Sequence, residues 1–182
     1  MLHKNRKTAW RRQFCQAVSV VCASLTMLGA SAFLTSSPVQ ALAGDLAAIR
    51  NASNLDKDPQ DAQAVAAVCT VCHASFQFLS TPRSSIRWEQ VYEEMSGYGA
   101  TGTDDQLDRV VDYFQKNLTV INVNTSPAED LQPTLQVSAN VTAEIVARRA
   151  QHPFTGIDDL SKISGVDRSV LEKLSAKSCL QF

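Results

Sequence analysis

The sequence predicts an all-α protein made of two small helical domains behind an N-terminal signal segment. Between Trp88 and Met95, apolar residues are spaced as i, i+3, i+4 and i+7, which is the period of a helix. Residues 107–118 carry a second apolar stripe of the same period, and residues 128–177 contain four short amphipathic segments in pairs. These three observations favour helices packed on helices.

Residues 1–43 have the composition of a secretory signal. They contain five basic residues and no acidic one, and the stretch from Gln13 to Ala43 is uncharged. Because Ala41-Leu42-Ala43 has the small-x-small pattern of a cleavage site, we expect cleavage after Ala43 and a periplasmic location. An uncleaved anchor is the alternative, since Ala17–Leu34 is nearly long enough to span a bilayer. Only in that case would the chain contact a membrane.

The remaining chain is acidic and short. Residues 44–182 hold 12 Lys and Arg against 18 Asp and Glu, although the whole chain is nearly neutral. This length suits one ordinary domain or two very small ones, and a change of composition near residue 120 favours two. We therefore predict one domain over residues 44–119 and another over residues 120–182.

The most specific motif is Cys69-Thr70-Val71-Cys72-His73. C-x-x-C-H is the spacing of covalent haem attachment, in which both thiols bond the porphyrin and the imidazole binds the iron. It predicts one haem c on Cys69 and Cys72, with His73 as the proximal ligand. A thioredoxin-like redox pair, a half zinc site and a structural disulfide are the alternatives. The first usually accompanies a βαβ pattern, and a closed zinc site needs a fourth protein ligand.

A second iron ligand can be sought by elimination. Beyond the signal segment the sequence has one methionine, Met95, and one histidine besides His73, namely His152. A sixth ligand of a usual type is therefore Met95 or His152, unless the position is open. His152 lies far downstream beside Pro153 in the other predicted domain, which favours Met95. Methionine at helical spacing is also common as core filler.

The part of the first domain that bears the haem is predicted to begin at Asp61. Asp61 is the expected N-cap of a helix with Val65, Val68, Cys69 and Cys72 on one face. Phe76, Phe78 and Leu79 follow and are expected in the core, with Phe76 packed against the haem.

Two further helices are predicted to complete this domain. One follows Pro82–Ser85, carries Trp88, Val91, Tyr92 and Met95 on one face, and ends at Gly97 and Gly99. Trp88 is a second residue expected to pack against the haem. The other opens with Thr103–Gln106, which matches a capping box, and its apolar face consists of Leu107, Val110, Val111, Phe114 and Leu118.

Together, C-T-V-C-H, W-E-Q-V-Y-E-E-M and the capped helix ending in D-Y-F resemble the short haem-binding domains of quinohaemoprotein amine dehydrogenases and related small c-type cytochromes. The resemblance covers about Asp61–Leu118. It implies His73 as the proximal and Met95 as the distal iron ligand. With both ligands supplied by the protein, we expect a single-electron carrier rather than an enzyme. The domain has 11 acidic against 6 basic residues, so we expect a redox partner with a basic patch. An accessible iron position would instead favour a haem enzyme or gas sensor.

The second domain is predicted to contain four helices, near 128–135, 142–150, 157–163 and 167–177, with Pro127 at position N1 of the first and turns at 138–140 and 164–166. I-N-V-N-T-S-P-A-E-D-L, A-E-I-V-A-R-R, P-F-T-G-I-D-D-L and K-I-S-G-V together resemble the tandem helix-hairpin-helix domain of competence-type DNA-uptake proteins. In DNA-binding members, two glycines in each hairpin expose backbone N–H groups to phosphates. Here Val137 and Ala139 are taken as their counterparts in the first hairpin, and Gly165 and Asp167 in the second.

The charge of this domain disfavours DNA as its ligand. Residues 120–182 contain six Lys and Arg against seven Asp and Glu, so the net positive field that drives non-specific DNA binding is missing. The candidate contacts with DNA or a partner protein are Gly165, Arg148, Arg149 and Arg168. We expect an exported cytochrome that transfers electrons between periplasmic or membrane redox partners and docks through this domain. The alternative is a DNA-binding or uptake-associated protein with haem as a sensor or accessory.

Overall fold

The computed structural model describes residues 38–53 and 58–182, with side chains from residue 44, and confirms the all-α prediction. The helices in these ranges are α1 (Pro38–Ala52), α2 (Pro59–Cys69), α3 (Phe76–Leu79), α4 (Ser85–Gly97), α5 (Asp104–Asn117), α6 (Ala128–Leu135), α7 (Ala139–Arg149), α8 (Ile157–Leu160) and α9 (Arg168–Ala176). Two strands of two residues each, β1 (Ile121–Asn122) and β2 (Leu180–Gln181), complete the fold.

The signal-segment prediction falls mainly on residues 1–37, outside the described residues, and stays a prediction. Helix α1 runs across the expected cleavage point after Ala43. Within the described ranges, every helix is too short or too polar to cross a membrane.

The first hydrophobic core is built from α1–α5, with α2 packed against both α1 and α5 and α3 contributing Phe78. The capping box is confirmed: Gln106 N donates to Thr103 Oγ1 at 3.2 Å, and Thr103 N donates to Gln106 Oε1 at 2.9 Å. The apolar stripe of α5 is also confirmed, because all its predicted members are buried: Leu107, Val110, Val111, Phe114 and Leu118. A well-capped helix therefore forms the floor of this core.

The N-cap predicted for α2 is wrong by three residues. Asp58 caps this helix by accepting a hydrogen bond from Gln60 N at 2.9 Å, and Pro59 occupies the first helical position. Asp61 is buried in the first turn, where it accepts hydrogen bonds from Arg109 Nη1 at 3.2 Å and Lys116 Nζ at 2.9 Å. Both residues have the carboxylate that a cap needs, but Asp61 joins α2 to α5 instead.

The second hydrophobic core lies among α6–α9 and the two strands, which pair in parallel with Ile121 opposite Leu180. Helix α6 has its predicted bounds, although Pro127 is the N-cap rather than the first helical residue. Helix α7 begins at Ala139 and not near Thr142, because Ser138 is its N-cap and accepts from Val141 N at 3.3 Å. The parallel strand pair was not predicted.

We call residues 44–119 the N-terminal lobe and residues 120–182 the C-terminal lobe. The two core clusters run from Ile49 to Leu118 and from Ile121 to Leu180, and the predicted domain bounds themselves stay a prediction. The lobes contact each other where α5 packs on α6. Hydrogen bonds also join the lobes: Thr134 Oγ1 on α6 donates to Gln115 O on α5 at 3.0 Å, and Lys177 Nζ, after α9, donates to Ala52 O at the end of α1.

Candidate functional site

A cavity of about 250 Å³ in the N-terminal lobe brings together the residues of the C-x-x-C-H motif and the predicted distal ligand. Cys69, Cys72, His73 and Met95 all line it. His152, the other residue considered by elimination, is exposed in the C-terminal lobe and does not line this cavity. The structure therefore places Met95, and not His152, on the same cavity as His73.

The C-terminal end of α2 positions the first thiol. Cys69 is the last residue of the helix and is half-buried, and Thr70 ends the helix by donating from Oγ1 to Ala66 O at 2.6 Å. The chain then turns, so that Cys72 is exposed and His73 is half-buried. The three functional side chains of the motif thus reach the cavity from a helix end and the turn after it.

Helix α4 supplies another wall of the cavity. Its N-cap is Ser84, which accepts from Arg87 N at 3.3 Å, and its apolar face carries Trp88 and Met95 to the cavity. Trp88 is 2 % exposed and its ring centroid lies 4.4 Å from that of Phe114 on α5. Trp88, which was expected to pack against haem, thus lines the same cavity as Cys69, Cys72 and His73.

The expectation that Phe76 lies in the core is wrong. Phe76 is 68 % exposed, whereas Phe78 is 7 % exposed, lines the cavity and meets His73 edge-on with 5.9 Å between ring centroids. Successive residues of a helix are rotated by about 100°, so residues two apart in the short helix α3 point to nearly opposite sides. Only one of the two phenylalanines can face the cavity.

Arg83, Arg87 and Tyr98 also line the cavity, and the sequence analysis missed them. Arg87 forms an ion pair with Glu94 at 2.8 Å, and the Arg83 guanidinium lies 4.9 Å from the Trp88 ring centroid. Helical periodicity could have identified Arg87, which precedes Met95 by eight residues and so shares its face of α4. The side chains of Arg83, Arg87 and Tyr98 thus place two charged groups and one hydroxyl at a cavity whose lining is otherwise largely apolar.

Electrostatics oppose a thioredoxin-like role for the two cysteines. Burial raises the pKa of Cys69 to about 12, so its thiol is protonated at neutral pH. Its position at the C-terminal end of α2 also disfavours a thiolate, because the helix macrodipole is negative there. Redox-active C-x-x-C thiols have a lowered pKa, usually at a helix N-terminus.

The donor set of the cavity fits haem better than a bare metal ion. In the described part of the chain, no group of three or more His, Cys, Asp and Glu side chains could hold a metal ion. A closed zinc site needs four protein ligands. Haem iron brings four nitrogen ligands of its own, so one imidazole and one thioether suffice.

The hairpins of the C-terminal lobe have equivalent backbone geometry at Gln136 and Gly165, whose φ angles are 55° and 88°. Each is followed two residues later by a helix N-cap, Ser138 or Asp167. The assignment of Val137 and Ala139 to the glycine positions of the first hairpin is therefore wrong by one residue. Val137 belongs to the core and Ala139 begins α7.

The arginines proposed as ligand contacts make bonds within the lobe. Arg148 pairs with Asp159 at 2.6 Å, and Arg168 pairs with Asp158 at 2.6 Å and Glu172 at 2.9 Å. Arg149 donates to the carbonyl oxygens of Val123 at 2.8 Å and Ser126 at 2.7 Å. All three guanidinium groups therefore already have partners within the lobe.

Comparison with known proteins supports the identification of the C-terminal lobe. Residues 116–177, about a third of the chain, match the family model of the helix-hairpin-helix motif. No curated protein and no solved structure matches the chain. The helix-hairpin-helix resemblance is thus confirmed at the level of the motif, whereas the cytochrome resemblance stays a prediction.

Proposed function

We propose that this protein is an exported mono-haem c-type cytochrome that transfers single electrons between redox partners and docks through its helix-hairpin-helix lobe. The observation that supports this function best is the meeting of the C-x-x-C-H motif and Met95 at one largely apolar cavity. Haem, when bound, supplies an iron that cycles between the ferric and ferrous states.

In this proposal, Cys69 and Cys72 hold the porphyrin covalently and His73 is the proximal ligand. Nδ1 of His73 lies 3.4 Å from the carbonyl oxygen of Ala74, which leaves Nε2 for the iron. Phe78 packs edge-on against the same imidazole and limits its rotation. The proximal ligand is thus oriented by both a polar and an aromatic neighbour.

Met95 supplies the distal thioether in this proposal. A thioether opposite an imidazole favours ferrous iron and raises the reduction potential relative to two imidazoles. Because His73 and Met95 would both hold the iron, the protein would leave it no site for a substrate, which suits a carrier rather than an enzyme. Trp88 and Phe114, whose ring centroids lie 4.4 Å apart, give the cavity an aromatic wall.

The absorption spectrum of the purified holoprotein tests this function. We expect covalently attached haem, a low-spin ferric spectrum with the weak far-red band of iron–methionine ligation, and slow binding of carbon monoxide by the ferrous form. Met95→Leu should abolish the far-red band, whereas the matched variant His152→Ala should keep it. A high-spin haem that binds carbon monoxide at once would reject Met95 as a ligand, and absence of covalent haem would reject the whole proposal.

We also propose a periplasmic location for the mature chain. It is supported by the basic leader and by the Ala41-Leu42-Ala43 pattern. Cell fractionation followed by N-terminal sequencing tests it. A mature chain that begins at Gly44 in the periplasmic fraction is expected, and a full-length chain in the cytoplasm would contradict the proposal.

Nucleic-acid binding is the second candidate, and the family match supports it more directly than it supports electron transfer. Helix-hairpin-helix domains commonly bind DNA through backbone N–H groups of the hairpins. In this lobe, however, Asp167 accepts from Ser169 N at 2.8 Å and places a carboxylate at the second hairpin. That charge repels a phosphate at this position.

A salt titration of duplex DNA binding separates the two candidates. Each neutralised phosphate contributes a slope of about −0.9 to log K against log salt. If phosphates approach the second hairpin, Asp167→Gly should strengthen binding, whereas Glu129→Gln, on α6, should change it little. Undetectable binding at low salt would eliminate this candidate.

A further inference from the structure

A buried hydrogen bond joins the C-terminal lobe to the helix that carries Met95. Ser85 Oγ donates to Asp130 Oδ2 at 2.6 Å, and each residue is 8 % exposed. Ser85 is the first residue of α4, and Asp130 lies in the first turn of α6. The bond therefore links the start of one cavity wall to the helix-hairpin-helix lobe.

The chain segment between the lobes holds the entry of α4 as well. Arg83 N donates to Leu118 O at 3.1 Å, and Val120 N donates to Arg83 O at 2.8 Å, so that Arg83 and Thr119 form a short parallel bridge. The N-terminus of α4 is thus fixed on two sides by residues at or beyond the end of α5.

The charge of Asp130 suits this position. A carboxylate beside the first turn of a helix interacts favourably with the helix macrodipole, and a hydroxyl-to-carboxylate hydrogen bond is short and strong. Burial strengthens both effects, because little water screens them. Asp130 is thus the residue of the C-terminal lobe whose side chain bonds the first turn of α4, beside the backbone bonds that Arg83 makes with Leu118 and Val120.

We propose that Asp130 is a positioning residue for the distal ligand: through Ser85 it fixes the orientation in which α4 presents Met95 to the cavity. This inference rests on the haem function proposed above. It gives the fusion of the two lobes a role, since the C-terminal lobe then determines how firmly the thioether stays on the iron.

The rate at which added imidazole displaces Met95 in the ferric holoprotein measures how firmly α4 presents the thioether. We expect Asp130→Ala and Ser85→Ala each to accelerate displacement roughly tenfold, the scale set by one hydrogen bond to a charged group. The double variant should be no faster than either single one, because both remove the same bond. Glu129→Ala, next to Asp130 in the same helical turn, is the matched control and should leave the rate unchanged.

The thermal midpoint and circular dichroism of every variant separate positioning from general destabilisation. If the thermal midpoint falls while the displacement rate and the far-red band stay unchanged, the inference is overturned. The bond between Ser85 and Asp130 then stabilises the fold without positioning Met95. Should Asp130→Ala fail to fold, Ser85→Ala and Asp130→Asn decide in the same way. Failure of the proposed function itself is recognised separately, in the wild-type protein, by the absence of covalent haem or of the far-red band.

Discussion

Trp88 on α4 donates a hydrogen bond from Nε1 to the carbonyl oxygen of Leu118, the residue that follows α5, at 2.9 Å. Leu118 O accepts from Arg83 N as well, so one carbonyl anchors both the entry of α4 and its large aromatic side chain. The stability of the N-terminal lobe and the shape of its cavity therefore depend on the same atoms.

Trp88→Phe should lower the free energy of unfolding by about 1–3 kcal/mol, because it removes a buried hydrogen bond and part of a packed ring. Urea unfolding monitored by circular dichroism measures the change. Ile86→Ala is the control on the same helix: this side chain is 65 % exposed, and its removal should change the free energy of unfolding by no more than about 0.5 kcal/mol. Equal effects of the two variants would contradict the prediction.

Thr103→Ala should destabilise the protein by about 1 kcal/mol, because the N-cap hydrogen bond to Gln106 N is lost. The measurement is again the free energy of unfolding. Thr101→Ala, which lies before the cap and is exposed, serves as the comparison and should have almost no effect. If both substitutions prove neutral, the capping box does not stabilise α5.

Gln136 and Gly165 should respond to substitution in opposite directions. Gln136→Gly should stabilise the C-terminal lobe by about 0.5–1 kcal/mol, because glycine adopts a positive φ without steric cost. Gly165→Ala should destabilise it by about 1–2 kcal/mol, since φ is 88° and the new Cβ would lie 2.8 Å from Val141 Cγ2. Thermal unfolding of the two variants tests this, and a loss of stability in Gln136→Gly would refute the equivalence of the two hairpins.

The three thiols in the described part of the chain should differ in reactivity before haem is attached. Burial raises the pKa of Cys69 to about 12 and that of Cys179 to about 11, whereas Cys72 is exposed. Both thiols are therefore almost entirely protonated at pH 8 and react slowly. Alkylation of the apoprotein, followed by mass spectrometry, should modify Cys72 first. Labelling of Cys69 at the rate of Cys72 would show that its partial burial does not suppress the reactivity of its thiol.

Acid should weaken the second hairpin through Asp167. Its pKa lies below the ordinary value of 3.8, mainly because of a hydrogen bond with the Ser169 side chain and then because of the Ser169 backbone N–H. The unfolded chain binds this proton more tightly, so the stabilisation is present above the ordinary pKa and is lost as the pH falls through the folded value. Asp167→Asn and Ser169→Ala should therefore both reduce the decrease in the free energy of unfolding at acidic pH, measured by unfolding at a series of pH values. If neither variant changes this decrease, the Asp167 carboxylate does not contribute to it.

Local signals in the sequence were sufficient to predict those helix boundaries that depend only on neighbouring residues. Thr103 and Gln106 satisfy each other within one turn, and acidic residues after Pro127 mark the start of α6. Elimination also selected Met95, which lines the same cavity as His73, because the residue types that bind haem iron are few and the chain contains very few of them. These features need no knowledge of the tertiary fold.

Tertiary contacts decided the remaining features. Asp58 and Asp61 are equally good caps by residue type, although Pro59 favours Asp58. Arg109 on α5 pairs with both carboxylates, so the burial of Asp61 and its ion pair with Lys116 are the tertiary features that the sequence does not reveal. Phe76 and Phe78 differ only in the direction that α3 gives them. The pairing of Ile121 with Leu180 joins segments far apart in sequence, so no local pattern reveals it.

The parallel strand pair gives the C-terminal lobe a mechanical property. Ile121 N bonds Cys179 O and Val123 N bonds Gln181 O, both at 2.9 Å, so the first and last segments of the lobe run side by side in the same direction. Tension between α5 and the residues that follow β2 would load these bonds in shear, simultaneously rather than one after another. A partner that pulls on the far end of the lobe would therefore transmit its force to the N-terminal lobe while α6–α9 stay folded.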